Sequence, residues 1–360
     1  MQHYRGLVNN SPCSTMMRVD CRWCILRSHL TGVISTFYYL MTNSAATASA
    51  AANIALVKYW GKASIGNNQP ATGSVSLGLE DLRTTTTLEY ATGNRDTFDT
   101  ELDDNSRKRA LRFLDRVRLT HNINQPLHIT TANNFPTGTG LASSASGFAA
   151  LSLAFNALFN LKLAASDLSR MARLGSGSAA RSIFGGVVEL IPSDDAYAIP
   201  IATAEEWPLD IVVAVTEERP KAIGSTDAMI QTANTSPFYR SWLSSHSDDM
   251  TLAKQAIKEK DFGKLADTSE HNCLKMHATM ITSQPPIVYW QPSTVEIMHQ
   301  VRALRSSGTP AFFTIDAGAQ VKIVCLPSAT DAIRQQLQTI TGLKQVIVTR
   351  LGGSPLVTTS

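Results

Sequence analysis

A short glycine-rich segment, residues 136–144 with the sequence PTGTGLASS, has the residue types that hold a phosphate. Gly138 and Gly140 allow backbone N–H groups to approach a ligand closely. Ser143 and Ser144 lie where a helix is predicted to begin, and a helix N-terminus offers unpaired N–H donors and partial positive charge. The segment has neither a Walker A ending nor the spacing of a dinucleotide fingerprint. Taken alone, it fits a phosphate site or a serine-capped turn.

Two further segments combine small or aromatic residues with a cation. Residues 175–182, GSGSAARS, offer backbone and hydroxyl donors, and Arg181 adds a planar set of N–H donors suited to a carboxylate or phosphate. Residues 59–62, YWGK, end a predicted strand with Lys62, a mobile point charge that suits a phosphate. Each segment also has a simpler interpretation, the first as a flexible loop and the second as an aromatic pair beside an exposed lysine.

The fourth candidate is an acid, Asp316, which follows the apolar residues 312–315 and precedes Gly318. A carboxylate held at a rigid strand end can act as a general base. By itself the pattern is more typical of an Asp-x-Gly turn.

The elements that would position these residues are a mixture of strands and helices. Strands are predicted over 49–60, 74–79, 84–90, 127–131, 183–191, 209–215, 311–315, 321–326 and 345–349. Helices are predicted over 103–120, 144–161, 164–174 with Ser166 or Asp167 as its cap, within 251–268, and over 295–306 and 332–341. A boundary near residue 205 would give domains of 44–205 and 206–360. This mixture favours an α+β protein over a doubly wound one.

Composition narrows the class of protein. The chain has 360 residues, 43% hydrophobic and 17% charged, which excludes wholesale disorder. A net charge of +3 is too small for a protein that wraps nucleic acid. Five cysteines do not make a disulfide framework in a chain this long, and no apolar run reaches the roughly 20 residues of a membrane-spanning helix. We therefore expect a globular cytoplasmic protein with no nucleic-acid or membrane partner.

Residues 1–40 differ from the rest of the chain. They carry four arginines against one acid, which accounts for the whole net charge of +3. A secretory signal, an Arg-rich transit peptide and a misassigned start with translation from Met41 all fit, and we favour the last. Cys21 and Cys24 have a CxxC spacing, but no second pair follows at zinc spacing, so we expect a chance pair. Residues 1–43 are predicted to be an extension that is disordered or misassigned.

Together the four motifs resemble those of one family, the mevalonate diphosphate decarboxylases of the GHMP kinase superfamily. The similar segments are 53–62 (NIALVKYWGK), 134–144 (NFPTGTGLASS), 175–182 (GSGSAARS) and 316–318 (DAG), in the family's order. The resemblance covers roughly residues 49–351. It implies two α+β domains, the first like ribosomal protein S5 and the second ferredoxin-like, with the active site in the cleft between them. It also implies a homodimer.

The resemblance further implies an activity and its residues. The family converts mevalonate 5-diphosphate and ATP, with Mg²⁺, to isopentenyl diphosphate, CO₂, ADP and phosphate, by first phosphorylating the 3-hydroxyl. The implied catalytic residues are Asp316 beside that hydroxyl, Arg181 on the substrate carboxylate, and Lys62. Substrate binding is implied for Tyr59, Trp60, Lys62, Ser176, Ser178 and Arg181. ATP binding is implied for Pro136, Gly138, Gly140, Leu141, Ser143 and Ser144, with Ser144 also the Mg²⁺ contact. Lys58 is given no role, because alternation along the strand would turn it away from Tyr59.

Three departures from the family pattern leave alternatives open. The chain has Thr72-Gly73-Ser74 where many members have Asn-Ser-Ser, Asp227-Ala228 where a small residue and a glycine are usual, and Asn272-Cys273-Leu274 where Asp-Ser-Asn is usual. These positions bear on the phosphate pocket, so a decarboxylase acting on mevalonate 5-phosphate stays open. A small-molecule kinase without decarboxylation and a non-enzymatic sensor are further alternatives. Asp316 together with Arg181 argues against the kinase, and the presence of Asp316 and Ser144 argues against the sensor.

Overall fold

A computed structural model describes residues 43–64, 66–135, 143–219 and 221–360. The predictions made for residues 1–42, including the Met41 start and the Cys21/Cys24 pair, lie outside these residues. Pro136, Gly138, Gly140 and Leu141 of the predicted phosphate loop lie outside them as well. Residues from Asn43 to Ser360 belong to one structural unit.

The first half is built on two long antiparallel strands. Its strands are β1 (Ala45–Val57), β2 (Lys62–Ser64), β3 (Gln69–Pro70), β4 (Ser74–Tyr90), β5 (Thr97–Phe98), β6 (Leu127–Asn133), β7 (Val187–Ile191) and β8 (Tyr197–Ala202). β1 pairs with β4 from Ala45↔Glu89 to Val57↔Val75. The β-branched run Thr84–Thr87 of β4 also pairs with β6, and the β7–β8 hairpin joins the other end of β4. β5 runs parallel to β6, and β2 and β3 form a separate hairpin.

Three helices and a 3₁₀ turn pack in this half. They are α1 (Asp104–His121), α2 (Ser143–Leu158), α3 (Ala165–Gly175) and the 3₁₀ helix Gly177–Ile183. The apolar side chains at positions 148, 151, 155 and 158 of α2 are buried, with Phe155 and Leu158 completely so. The predicted cap of α3 is wrong: the capping position is Ala164, which has no side-chain acceptor, and Ser166 and Asp167 lie within the helix.

The second half contains a four-stranded antiparallel sheet in the order β10-β11-β9-β12. Its strands are β9 (Asp210–Val215), β10 (Ala311–Ile315), β11 (Val321–Cys325) and β12 (Gln345–Arg350). Its helices are α4 (Ser225–Thr235), α5 (Tyr239–Glu259), α6 (Phe262–Ile281), α7 (Pro292–Ser306) and α8 (Thr330–Leu337), with a 3₁₀ turn at Pro327–Ala329. The strands agree with the predicted positions within about one residue.

The helices of this half were less well predicted. Residues 251–268 belong to two helices of 21 and 20 residues, α5 and α6, which extend well beyond that window. Asp261 separates them and caps α6 by accepting from the Lys264 N–H. α4 was not predicted, because its sequence STDAMIQTANT has only a weak apolar stripe. In the first half of the molecule, the predicted strand 183–191 begins only at Val187, the start of β7, after the 3₁₀ helix.

The chain ends in the first half. β13 (Leu356–Thr359) pairs antiparallel with β1, from Ala46↔Thr359 to Ser49↔Leu356, and completes a seven-stranded sheet. The predicted domain of 206–360 did not anticipate this return, because a four-residue strand carries no long-range signal in its own sequence.

The two halves share an apolar core and enclose a cavity. Leu77 of the first sheet and Val213 and Phe312 of the second belong to one buried cluster. Across the same boundary, the Thr314 hydroxyl donates to the Ala55 carbonyl at 2.9 Å, and the Trp242 indole donates to the Trp60 carbonyl at 3.0 Å. This arrangement confirms the α+β prediction. Among the described residues, no helix has both the length and the apolar character needed to cross a bilayer.

Candidate active site

A cavity of about 740 Å³ is lined by residues of both halves. It brings together residues that the sequence predicted on four separate segments. These are Tyr59, Trp60, Lys62, Ser143, Ser144, Ser176, Ser178, Arg181 and Asp316. Of the predicted site residues, those in 136–142 are outside the described part of the chain.

The end of β1 supplies a buried lysine to this cavity. β1 ends at Val57, and the next residue, Lys58, is 1% exposed. Its ammonium donates to Asp316 Oδ1 and to the Ala55 carbonyl, both at 2.8 Å. Its backbone N–H donates to Asn272 Oδ1, also at 2.8 Å. The alternation argument that gave Lys58 no role fails because alternation applies only within the strand.

Asp316 lies directly after β10, with a quarter of its side chain exposed. Lys58 contacts one carboxylate oxygen, and Lys322 of β11 lies 3.4 Å from the other. Burial alone raises the pKa of this carboxyl, but the two ammonium groups outweigh burial and hold the pKa well below its usual range. Asp316 is therefore an ionised acceptor facing the cavity.

Arg181 is held in one orientation by neutral partners. It lies on the 3₁₀ helix and is 3% exposed. Asn53 Oδ1 accepts from Nη2 at 3.0 Å and from Nε at 3.3 Å, and Ser74 Oγ accepts from Nη1 at 2.5 Å. Burial lowers the pKa of Arg181 to about 10, although nearby Asp316 raises it. The guanidinium is therefore charged at neutral pH, and the departure at residues 72–74 keeps the serine that orients it.

Three serine hydroxyls form a row along one wall. Ser144 Oγ lies 3.3 Å from Ser176 Oγ, which lies 3.2 Å from Ser178 Oγ. Ser143 and Ser144 are the first residues of α2, where backbone N–H groups have no helical partner. Ser176 lies between α3 and the 3₁₀ helix. The row joins the two segments that the sequence predicted to hold phosphate and substrate.

Lys62 and Tyr59 form a second polar group on the same cavity. The Lys62 ammonium donates to Asn68 Oδ1 at 2.7 Å and to Thr226 Oγ1 at 3.1 Å. Burial, followed by nearby Arg109, lowers its pKa. Burial also raises the pKa of the Tyr59 phenol well above its usual range, so it is a neutral donor. Trp60 differs from them: it is 1% exposed and packs with Trp242 in an apolar cluster that supports the cavity wall.

Cations that the sequence analysis did not select also line the cavity. Arg109, Arg112 and Arg116 project from α1 at helical spacing, and this spacing is a signal that the sequence contained. Lys221 lies just before α4 and donates to Ser225 Oγ at 2.7 Å and to the Ala317 carbonyl at 3.1 Å. Burial, reinforced by nearby Lys322, lowers the pKa of Lys221 to about 8. The cavity therefore suits a ligand with several negative charges.

Comparison with known proteins agrees with this geometry. Residues 50–198 match the family described as diphosphomevalonate decarboxylase-like N-terminal domain. Residues 211–358 match the mevalonate 5-diphosphate decarboxylase C-terminal domain. The chain belongs to the diphosphomevalonate decarboxylase family.

Individual members of the diphosphomevalonate decarboxylase family are similar to this chain over most of their length. The diphosphomevalonate decarboxylase of Gibberella zeae is 36% identical over 332 residues, 83% of this chain and 87% of that protein. The crystal structure of mevalonate diphosphate decarboxylase from Staphylococcus aureus has a TM-score of 0.83 and 34% identity, and covers 89% of this chain and 99% of that one. A structure described as MDDEF in complex with MVAPP, AMPPCP and magnesium has a TM-score of 0.82 and 35% identity, with 88% and 99% covered. The likeness confirms the two-domain, GHMP-kinase-like fold.

In this member of the diphosphomevalonate decarboxylase family, the fit of the site to Mg²⁺ depends on the donor atoms that its residues offer. Among the described residues, no group of three or more His, Cys, Asp or Glu side chains could hold a metal ion. Mg²⁺ is commonly bound through phosphate oxygens and water with few protein ligands, and a hydroxyl at a helix start is one of them. The Ser144 hydroxyl therefore fits Mg²⁺ that arrives with a nucleotide.

Proposed function

We propose that this protein converts mevalonate 5-diphosphate and ATP to isopentenyl diphosphate, CO₂, ADP and phosphate. The proposal rests on the presence, in one cavity, of both an ionised Asp316 and a charged Arg181 that is held by Asn53 and Ser74. A proton acceptor and a carboxylate-binding group are what this reaction requires of the protein. Membership of the decarboxylase family supports the same conclusion.

Asp316 is proposed to accept the proton of the substrate's 3-hydroxyl. A tertiary alcohol is a weak nucleophile, and it attacks the γ-phosphoryl group of ATP more readily when its proton has an acceptor. The carboxylate is ionised at neutral pH because Lys58 and Lys322 flank it. Lys58, fixed by Ala55 and Asn272, also places positive charge beside the reacting oxygen.

Arg181 is proposed to bind the substrate carboxylate. Once the 3-phosphate departs, carbon 3 is electron-deficient, and loss of CO₂ supplies the electron pair of the new double bond. A carboxylate held in line for this cleavage needs an orienting partner, and a rigid guanidinium suits it. Asn53 and Ser74 occupy three of the five N–H donors of Arg181, which leaves donors for a ligand.

The remaining polar groups are proposed to bind phosphates. Ser176, Ser178, Tyr59 and Lys62 would bind the substrate and its diphosphate, because they line the same cavity as Arg181. Ser143 and Ser144, with Pro136, Gly138, Gly140 and Leu141, would hold the ATP phosphates at the start of α2. Mg²⁺, with Ser144 as its protein contact, would offset the charge of the transferred phosphoryl group.

The domain boundary, the cellular compartment and the oligomeric state of the enzyme are proposed separately. We propose a boundary near residue 205 between the two domains, supported by the two family matches, which end at 198 and resume at 211. We also propose a cytoplasmic homodimer. Cys273 and Cys325 are free and buried, as a reducing compartment allows. Sedimentation of the purified protein tests the dimer.

The substrate is tested by comparing two mevalonate phosphates. Purified protein with ATP and Mg²⁺ is given either mevalonate 5-diphosphate or mevalonate 5-phosphate, and initial rates are measured. We expect the diphosphate to be preferred at least about 100-fold in kcat/KM, because Lys62 and the serine row offer charge and donors for a second phosphate. A preference for the monophosphate would overturn the assignment. A phosphorylated product without CO₂ would indicate a kinase, and no turnover a sensor.

A further inference from the structure

A second lysine is buried beneath the catalytic carboxylate. Lys322 is the second residue of β11, opposite Thr314 of β10, and its side chain is 1% exposed. An ammonium group in such a position costs free energy unless a negative group faces it. Lys322 Nζ lies 3.4 Å from Asp316 Oδ2. The predicted chemistry gives Lys322 no contact with substrate.

The two lysines hold Asp316 from different directions. Lys58 follows β1 of the first half and contacts Oδ1, whereas Lys322 belongs to the same sheet as β10, which Asp316 directly follows, and faces Oδ2. A carboxylate held at one oxygen can still rotate about its Cβ–Cγ bond, whereas one held at both oxygens is fixed. We propose that Lys322 is a positioning residue that fixes the plane and the charge of the Asp316 carboxylate for proton acceptance. This inference rests on the proposed function, since it assumes that Asp316 accepts a proton.

Other titratable groups around this pair were considered for the same effect. They are Lys58 after β1, Arg181 on the 3₁₀ helix, Lys221 before α4, and Cys273 and His277 on α6. Burial raises the pKa of the Cys273 thiol, and burial with nearby Lys58 lowers the pKa of His277 to about 3, so both are neutral near pH 7. Arg181 and Lys221 reach the cavity but have hydrogen bonds to other groups. Lys58 and Lys322 are therefore the two cations in direct contact with Asp316 among the described residues.

Loss of the Lys322 charge has a defined effect on pH dependence. With both ammonium groups present, Asp316 stays ionised well below neutral pH. With one removed, burial is less completely offset, so the pKa of Asp316 rises. A protonated Asp316 cannot accept the hydroxyl proton, so activity is lost as the pH falls through this raised pKa. The acid limb of kcat therefore moves to higher pH.

The test is the pH profile of kcat, from about pH 5 to 9, for the wild type, Lys322→Met, Lys322→Gln and Lys322→Arg. Both uncharged variants are expected to lower kcat about 10-fold or more at pH 7 and to show within this range an acid limb that the wild type lacks. KM for both substrates is expected to stay within about threefold, because Lys322 touches neither. Lys322→Arg keeps the charge and is expected to restore most of the wild-type profile. Lys258→Met, an exposed change on α5, is the control for loss of a lysine.

The outcomes separate this inference from the proposed function. If Lys322→Met fails to fold, Lys322→Gln decides, because its amide fills similar space and can still donate to Asp316 without the charge. Uncharged variants that show no acid limb in this range beyond that of the wild type overturn the role of Lys322. So does a loss of activity that is equal at every pH. A wild-type enzyme that releases no CO₂ overturns the proposed function instead, before any variant is compared.

Discussion

The two ends of the cavity treat their positive charges differently. At one end, the Asp316 end, Lys58 and Lys322 are both paired with the same carboxylate. At the other, the α1 end, the cations donate to neutral oxygens. Lys62 donates to Asn68 and Thr226, Arg109 to Gly175, and Arg116 to Gly66 and Asn67. Neutral acceptors orient a cation without cancelling its charge.

This difference assigns different tasks to the two ends. At the Asp316 end, both ammonium groups face one carboxylate and keep it ionised and fixed, as a group that accepts a proton during chemistry requires. The α1 end keeps net positive charge on the cavity wall, which an anionic ligand can neutralise. Changes at the first end should therefore act mainly on kcat, and changes at the second mainly on KM.

Asp316→Asn is expected to have the largest effect. The amide keeps the shape of the side chain but cannot accept the hydroxyl proton, so kcat should fall about 10³-fold or more. The KM for ATP should stay within about threefold. Steady-state kinetics with ATP varied provides both values. Near-normal kcat would remove Asp316 from its proposed role. It would also contradict the expectation that changes at the Asp316 end act mainly on kcat.

Lys62→Met tests the α1 end. Loss of a phosphate-binding cation should raise the KM for mevalonate 5-diphosphate about 10- to 100-fold, while kcat falls less. Initial rates with this substrate varied give the split, and the wild-type KM should rise with added salt more steeply than that of the variant. Lys264→Met, on α6, is the matched control. A fall in kcat at unchanged KM would place Lys62 with the chemistry instead.

Lys221 should produce the basic limb of the pH profile. Its pKa is lowered to about 8, so it is charged below that pH and neutral above it. Binding of anions should weaken as the charge is lost, and kcat/KM, which reports the free enzyme, should fall several-fold between about pH 7 and pH 9. Lys221→Arg, which stays charged throughout, should flatten this limb. A limb that persists in the variant would assign it to another group.

Asn272→Ala should affect stability more than activity. It leaves the buried Lys58 N–H and the Asp249 carboxylate each without one partner, for which we expect a loss of about 1–3 kcal/mol in the free energy of unfolding. Urea denaturation measures this loss, with exposed Asn234→Ala on α4 as the control. An unchanged free energy of unfolding would show that this contact does not help to fix Lys58.

The sequence predicted much of the site but not what holds it in place. Ser176 and Arg181 were found because each lies in a motif with its neighbours, and the structure brings both to the cavity with Asp316. Lys322 and Asn53 were not selected. Lys322 faces Asp316 from the neighbouring strand, and Asn53 contacts Arg181, 128 residues further along the chain, so neither contact is visible in a local motif. Lys58 was wrongly given no role, because strand alternation was applied one residue past the end of β1.

The fold shows the same division. Strands with strong β-branched or apolar runs, such as β10 and β11, were predicted within about one residue. The return of β13 to the first sheet depends on pairing with β1, more than 300 residues away in the chain, and no local pattern encodes it.

The most direct test of the account is the stoichiometry of one reaction. Wild-type protein with mevalonate 5-diphosphate, ATP and Mg²⁺ is followed for CO₂ and ADP in the same sample, beside Asp316→Asn. We expect the wild type to release one CO₂ for each ADP and the variant to release neither at a comparable rate. ADP formed from this substrate without CO₂ would contradict the central claim that Arg181 and Asp316 together carry a decarboxylation.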